Sequence, residues 1–176
     1  MATLYITMTK RRDGAIVSRF ERPDGTATWQ RKEGATARFF AVHDLEHYAV
    51  ETTLGYRRGF YGLVAEGWNL ADFGTPWPRG RLPADAEPAE LIVGFLDGER
   101  AGGVEWTAED FNERAAGYYA EQRLENPPRL DEETLACIRA AARELRERWD
   151  AVPEGGTLEL TFVRDERPNK SLGIIT

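Results

Sequence analysis

The only two histidines of the chain, His43 and His47, stand four residues apart in the stretch 41-AVHDLEHYAVE-51. Glu51 follows after another four residues, so that in a helix the three side chains lie on one side in successive turns. Imidazoles in neighbouring turns can bind one divalent metal ion, and a carboxylate is a suitable third ligand. The spacing therefore predicts a metal site at His43, His47 and Glu51, with Glu51 either as a ligand or as the group that orients an imidazole.

The types of these side chains indicate which metal and which chemistry to expect. Zinc is the usual partner of two imidazoles and a carboxylate, while iron, nickel and manganese accept the same kinds of ligand. Asp44 and Glu46 lie in the same stretch, and either is a candidate general base. This combination favours a metal-binding protein or a small metalloenzyme, with a hydrolase as the expected type.

The segment 43-HDLEH-47 also fits the pattern H-x-x-E-H and resembles the active-site helix of the inverzincin metallopeptidases. The resemblance covers five residues, and it implies that His43 and His47 bind zinc while Glu46 activates a water molecule as the general base. In that family the third zinc ligand is a glutamate on another helix. The acids available for that role in this chain are Glu105, Glu109, Asp110 and Glu113.

A second interpretation of the same stretch needs no metal. His43 or Asp44 would cap the start of a helix, and His47 would hydrogen-bond a backbone carbonyl or an acid. The chain would then be a non-enzymatic module that binds a small ligand or another protein. Four aromatic residues are candidates for lining its ligand pocket, although a place in the core is the favoured interpretation for them. These residues are Tyr56, Tyr61, Trp68 and Trp77.

The secondary structure that positions these residues is predicted to include strands at both ends of the chain. Leu4, Ile6 and Met8 alternate with polar or amphipathic neighbours, which is the period of a half-buried strand. Turn residues at 13–14 and 23–25 follow, and a similar alternation returns near the far end of the chain. The predicted strands are 3–9, 15–22, 26–32 and 157–163. The chain is therefore expected to begin and end in one antiparallel sheet.

The signals between these strands are helical. Thr107 with Asp110 resembles a capping box, and Asp131 is a good N-cap. The predicted helices run from about Val42 to Leu54, from the break at Gly55 to about Glu66, from near Pro88, from Thr107 to Gln122, and over 131–150. The histidine stretch is then the beginning of a helix, and its acids are partly explained by the helix dipole. Residues 67–88, with four prolines and three glycines, are expected to form a long surface loop.

These elements predict an α+β fold in a single domain over residues 1–164. An antiparallel sheet of about four strands, made of the N-terminal meander and the C-terminal strand, carries four or five helices on one face. The last residues, 165–176, are expected to form a loose tail.

Charge and composition narrow the classes of partner. The formal net charge is −7 and no stretch is strongly basic, which argues against a nucleic-acid partner and against an anionic membrane surface. Cys137 is the only cysteine, and no apolar run approaches the length of a membrane-spanning helix. We therefore expect a cytoplasmic, soluble protein whose partner is a small molecule. The composition does not fix the oligomeric state.

Overall fold

The structure is a computed structural model, and it describes residues 2–164. Its four strands are β1 (Ala2–Lys10), β2 (Ile16–Glu21), β3 (Ala27–Lys32) and β4 (Thr157–Arg164). They form one antiparallel sheet in the order β3-β2-β1-β4, so that the first and last strands are neighbours. The predicted sheet is confirmed. The predicted tail at 165–176 lies outside the described residues.

The alternation along β1 assigns one face of the sheet to the core. Leu4, Ile6 and Met8 are buried, while Tyr5 between them is 51% exposed. Trp29 on β3 and Val163 on β4 are also exposed, at 63% and 48%. The helices therefore pack on the face that carries Leu4, Ile6 and Met8, and no helix of residues 2–164 covers the exposed side chains of the opposite face.

Five α-helices lie within residues 2–164, which agrees with the predicted number. They are α1 (Gly34–Leu54), α2 (Phe60–Ala65), α3 (Glu87–Gly102), α4 (Ala108–Gln122) and α5 (Glu132–Asp150). The Thr107–Asp110 capping box and the Asp131 N-cap are both formed, which confirms the predicted starts of α4 and α5. Within 67–88 the chain forms one short 3₁₀ helix, Leu70–Phe73. None of these helices combines the length and the apolar character that crossing a membrane requires.

Helix α1 is the element on which the site is built, and its predicted start near Val42 is wrong. The helix begins eight residues earlier, at Gly34, because Ala37 and Ala41 are buried against the core in line with Leu45. Glu33 at the N-cap makes no capping hydrogen bond with its side chain, so this start has no local signal. His43 therefore lies in the middle of α1, and the helix dipole does not explain the acids around it.

The end of α1 is set by Gly55, as predicted. Gly55 has φ of 67°, the left-handed conformation that favours glycine at the end of a helix. The chain then turns back, and α2 packs against α1 and the sheet. Helices α3 and α5 pack along α1 on its other sides. The histidine face of α1 is thereby enclosed by α2 and α3.

Candidate functional site

His43, Asp44 and His47 line a cavity of about 320 Å³ between α1, β3, α2, the 3₁₀ helix and α3, which we call the histidine cavity. Its polar lining residues are Gln30, Lys32, His43, Asp44, His47 and Glu90. Its apolar lining residues are Phe40, Phe60, Leu70, Phe73 and Leu82. The ring centres of His43 and His47 are 4.8 Å apart. The cavity thus combines a polar wall with an apolar one, as small-molecule sites do.

His43 is held by a carboxylate from another helix. Its Nδ1 atom lies 2.7 Å from Oδ2 of Asp97 on α3, and Phe39 stacks on the imidazole ring. Arg100 forms an ion pair with the same Asp97 carboxylate. Burial lowers the pKa of His43, but the hydrogen bond and charge of Asp97 outweigh burial and raise the pKa above its ordinary value. With Nδ1 bound to Asp97, Nε2 is the ring nitrogen left for the cavity.

His47 is buried more deeply, with 2% of its side chain exposed. Its Nδ1 atom is 3.4 Å from Oε1 of Glu51, and its Nε2 atom is 3.7 Å from Oε2 of Glu90. Within the described part of the chain, Nδ1 has no hydrogen-bond partner. Burial lowers the pKa of His47 to about 4, so the imidazole is neutral at pH 7. A neutral imidazole is the form that binds metals.

Glu51 lies beneath His47 and does not line the cavity. Its carboxylate accepts hydrogen bonds from the backbone N–H groups of Tyr61 and Gly62, at 3.1 and 3.2 Å. Burial nevertheless raises the pKa of Glu51 to about 8, so its contact with the neutral His47 is not an ion pair. A Cβ atom at Gly59 would lie 2.4 Å from Cδ of Glu51. Glu51 is therefore fixed in place, which suits the orienting role better than the ligand role.

Asp44 is the buried acid of the cavity wall. It is 4% exposed, and among the described residues its Oδ2 atom has no hydrogen-bond partner. Burial raises the pKa of Asp44 to about 7, against the opposing charges of His43 and Lys32. A carboxyl group that titrates near neutral pH is suited to both accepting and donating a proton. Of the two predicted general bases, Asp44 is the one that lines the cavity.

Glu46, the base implied by the H-x-x-E-H resemblance, lines a different cleft beside Arg139. One of its oxygens accepts a hydrogen bond from Nε of Arg100, at 3.2 Å. Burial, and next the neighbouring Asp97, raise the pKa of Glu46 to about 7. Glu46 is not among the residues that line the histidine cavity. The same holds for the four acids available as a third ligand, Glu105, Glu109, Asp110 and Glu113.

Two residues of α3, Glu90 and Asp97, complete the surroundings of the histidines, and the sequence does not single them out. They lie 43 and 54 residues away from His47 and His43. Their spacing of seven residues places both on one face of α3, two turns apart. That face contacts α1 only because the two helices pack side by side. Helical spacing within α3 is the only signal that links them.

The four aromatic residues predicted for a ligand pocket lie elsewhere. Tyr61 is fully buried and donates its hydroxyl to the backbone oxygen of Asp44, at 2.9 Å. Trp68 packs with Leu63, Tyr56 is partly buried against the helices, and Trp77 is 38% exposed. Tyr56, Tyr61, Trp68 and Trp77 are not among the residues that line the histidine cavity. Phenylalanines from α1, α2 and the 3₁₀ helix line it instead.

The donor atoms around the histidines do not form a complete set of metal ligands. Over residues 2–164, the structure contains no group of three or more His, Cys, Asp or Glu side chains that could hold a metal ion. The two imidazoles are neighbours, and Glu90 is an acid of the cavity lining whose Oε2 atom lies 3.7 Å from Nε2 of His47. A metal would therefore require Glu90 to approach both imidazoles.

Comparisons with protein-family models, curated proteins and solved structures found no match to the chain. The proposals that follow rest on the geometry of the site.

Proposed function

We propose that this protein is a small metalloenzyme in which His43 and His47 bind a divalent metal ion, with Glu90 as the third ligand. One observation carries the proposal. The Nδ1 atom of each imidazole faces a carboxyl group that does not line the cavity, Asp97 for His43 and Glu51 for His47. Histidines that bind metals usually have their other ring nitrogen paired with an outer acid, and here Asp97 hydrogen-bonds His43 at 2.7 Å while Glu51 lies 3.4 Å from Nδ1 of His47.

The spacing of the two rings also supports a shared metal ion. Two imidazoles on one tetrahedral zinc, with Zn–N bonds of about 2.0–2.1 Å, have ring centres about 5 Å apart. The ring centres of His43 and His47 are 4.8 Å apart. Zinc is the default for this donor set, and iron, nickel and manganese accept it as well.

The Glu90 side chain is positioned to become the third metal ligand after a small rotation. Its Oε2 atom is 3.7 Å from Nε2 of His47, and its side chain is 31% exposed. In the described part of the chain the Glu90 carboxylate accepts no hydrogen bond that would restrict rotation of its side chain. Donor atoms on one tetrahedral zinc are about 3.3 Å apart, so a small rotation of the side chain is sufficient. Glu51 keeps its backbone hydrogen bonds and orients His47.

The proposed reaction is hydrolysis of a small substrate. A metal ion bound here would polarise a substrate oxygen and lower the pKa of a water molecule. Asp44 would accept the proton of the attacking water and return it to the leaving group, since its pKa of about 7 suits both steps. Phe40, Phe60 and Phe73 would bind the apolar part of the substrate. We accordingly propose substrates with a compact apolar group beside the bond that is cleaved.

The test uses metal-stripped protein, reconstituted with zinc and assayed on small chromogenic esters, anilides and phosphoesters. We expect turnover of at least one class only after reconstitution. Asp44→Asn should bind zinc as the wild type does but lose about a hundredfold or more of the turnover, the usual contribution of a general base. His47→Ala should lose both properties. Turnover that survives Asp44→Asn, or that is independent of zinc, would refute the proposal.

The apolar wall of the cavity favours a second candidate function, binding of a small apolar ligand without chemistry. In that case His43 and His47 are structural, and ligands that bind the cavity are released unchanged. The turnover assay with reconstituted zinc separates the two candidate functions. A protein that only binds its ligand shows saturable binding and no zinc-dependent turnover. Both candidates share the proposal of a cytoplasmic protein with a small-molecule partner and no nucleic-acid partner.

A further inference from the structure

A second cavity, of about 520 Å³, lies on another side of α1, between the β1–β2 turn and the end of α5. We call it the hairpin cavity. Its apolar floor is formed by Ile16, Val42, Trp149 and Val152. Trp149 is 4% exposed, so its ring belongs to the core and only a small part of the residue is accessible. The volume and the apolar floor are those of a small-molecule site.

A lysine, Lys10, is fixed in the lining of the hairpin cavity. The Nζ atom of Lys10 donates to the backbone oxygens of Asp150 and Val152, at 3.2 and 2.9 Å. It lies 4.8 Å from the centre of the Trp149 ring. An ammonium group has three donors, and these two carbonyls leave one unused. Lys10 is thus a positive charge that is already positioned beside an apolar surface.

Two arginines stand at the rim of the same cavity. Arg11 follows β1 and Arg38 projects from the first half of α1, and both are exposed. Within residues 2–164, neither guanidinium takes part in an ion pair or a side-chain hydrogen bond. Asp150 and Glu154 also line the cavity, so three cations face two carboxylates there. In a protein of net charge −7, this is a local surplus of positive charge.

From these observations we propose that the hairpin cavity binds an amphiphilic monoanion, a compact apolar or aromatic body that carries one carboxylate. The body would lie on Ile16, Val42 and Trp149. The carboxylate would accept hydrogen bonds from the exposed guanidinium groups of Arg11 and Arg38, which match carboxylate geometry. This site is separate from the histidine cavity and does not depend on a metal ion.

The experiment is a calorimetric titration of the full chain with octanoate, and with octylamine as the oppositely charged probe. We expect saturable binding of one octanoate per chain and no measurable binding of octylamine. The double variant Arg11→Gln/Arg38→Gln should bind octanoate about tenfold or more weakly, since two charge-assisted hydrogen bonds are lost. Val42→Trp, which fills the cavity, should also weaken binding. Both arginines are exposed, so their replacement leaves the core intact.

Arg143→Gln is the matched control, because Arg143 is an exposed arginine of α5 that does not line the hairpin cavity. It should bind octanoate as the wild type does. The proposal is overturned if octanoate does not bind, if octylamine binds equally well, or if the double variant keeps the wild-type affinity.

Discussion

The Nδ1 atom of His43 lies 2.7 Å from Oδ2 of Asp97, a residue 54 positions further along the chain. This contact joins the middle of α1 to the second half of α3. It holds the imidazole in one orientation and selects Nε2 as the nitrogen that meets the cavity. The two helices therefore build the site together, and α1 alone would leave His43 free to rotate.

We expect Asp97→Asn to weaken zinc binding by about tenfold to a hundredfold, as replacement of such supporting carboxylates usually does. The amide keeps the shape of the side chain but removes the charge that fixes His43. Isothermal titration of metal-stripped protein with zinc measures the effect. Arg100→Gln is the control, because it removes another partner of Asp97 and leaves the carboxylate in place. Unchanged affinity in Asp97→Asn would contradict the role assigned to Asp97.

The buried Asp44 predicts a pH dependence of stability in metal-stripped protein. Its pKa is about 7 in the folded state and 3.8 ordinarily. Between these values the unfolded chain has released this proton and the folded protein still holds it, so Asp44 lowers the free energy of unfolding as pH rises. Asp44→Asn should match the wild type near pH 4 and exceed it at pH 8, by up to about 4 kcal/mol. Urea unfolding at each pH measures the difference.

Asp24 provides a control of opposite sign. Hydrogen bonds from the side chain and backbone of Thr26 lower its pKa, so the ionised form is favoured in the folded state. Asp24→Asn should therefore be less stable than the wild type at neutral pH, and the difference should vanish in strong acid. The account of Asp44 is wrong if Asp44→Asn and Asp24→Asn shift stability in the same direction at pH 8.

The close approach of Gly59 to Glu51 predicts that a larger residue at position 59 displaces Glu51 from its place beside His47. An alanine there would place Cβ 2.4 Å from Cδ of Glu51, so Glu51 must move and its bonds to the backbone of α2 weaken. We expect Gly59→Ala to lower the free energy of unfolding by about 1–3 kcal/mol, measured by urea unfolding, and to weaken zinc binding in the same titration. In Gly94→Ala on α3 the new Cβ meets nothing within 4 Å, and stability should stay equal or rise by about 1 kcal/mol.

Elements with a strong local pattern could be predicted from the sequence. The apolar stripe of α5 and the Asp131 cap determine that helix, and the alternation in β1 and β4 determines the sheet. The start of α1 could not be found in this way, because Glu33 makes no cap and Ala37 and Ala41 are weak apolar signals. Their burial depends on packing against the rest of the core.

In the candidate site, contacts within one helix could be predicted from the sequence, and contacts between helices could not. Spacing along one helix correctly brings His43 next to His47 and His47 next to Glu51. It does not reveal which of these side chains face a cavity and which face the core. The contributions of Glu90 and Asp97 depend on how α1 and α3 pack, and nothing in the local sequence of either helix encodes that relationship.

The most direct test of the metal proposal is the zinc stoichiometry of untagged protein, stripped with chelator, dialysed against zinc and analysed for bound metal. We predict one zinc ion per chain in the wild type, loss of zinc in His47→Ala, and weakened binding in Glu90→Gln. Glu87→Gln, on the same helix but outside the histidine cavity, should retain one zinc ion. Substoichiometric zinc in the wild type, or one full equivalent in His47→Ala, would contradict the proposal.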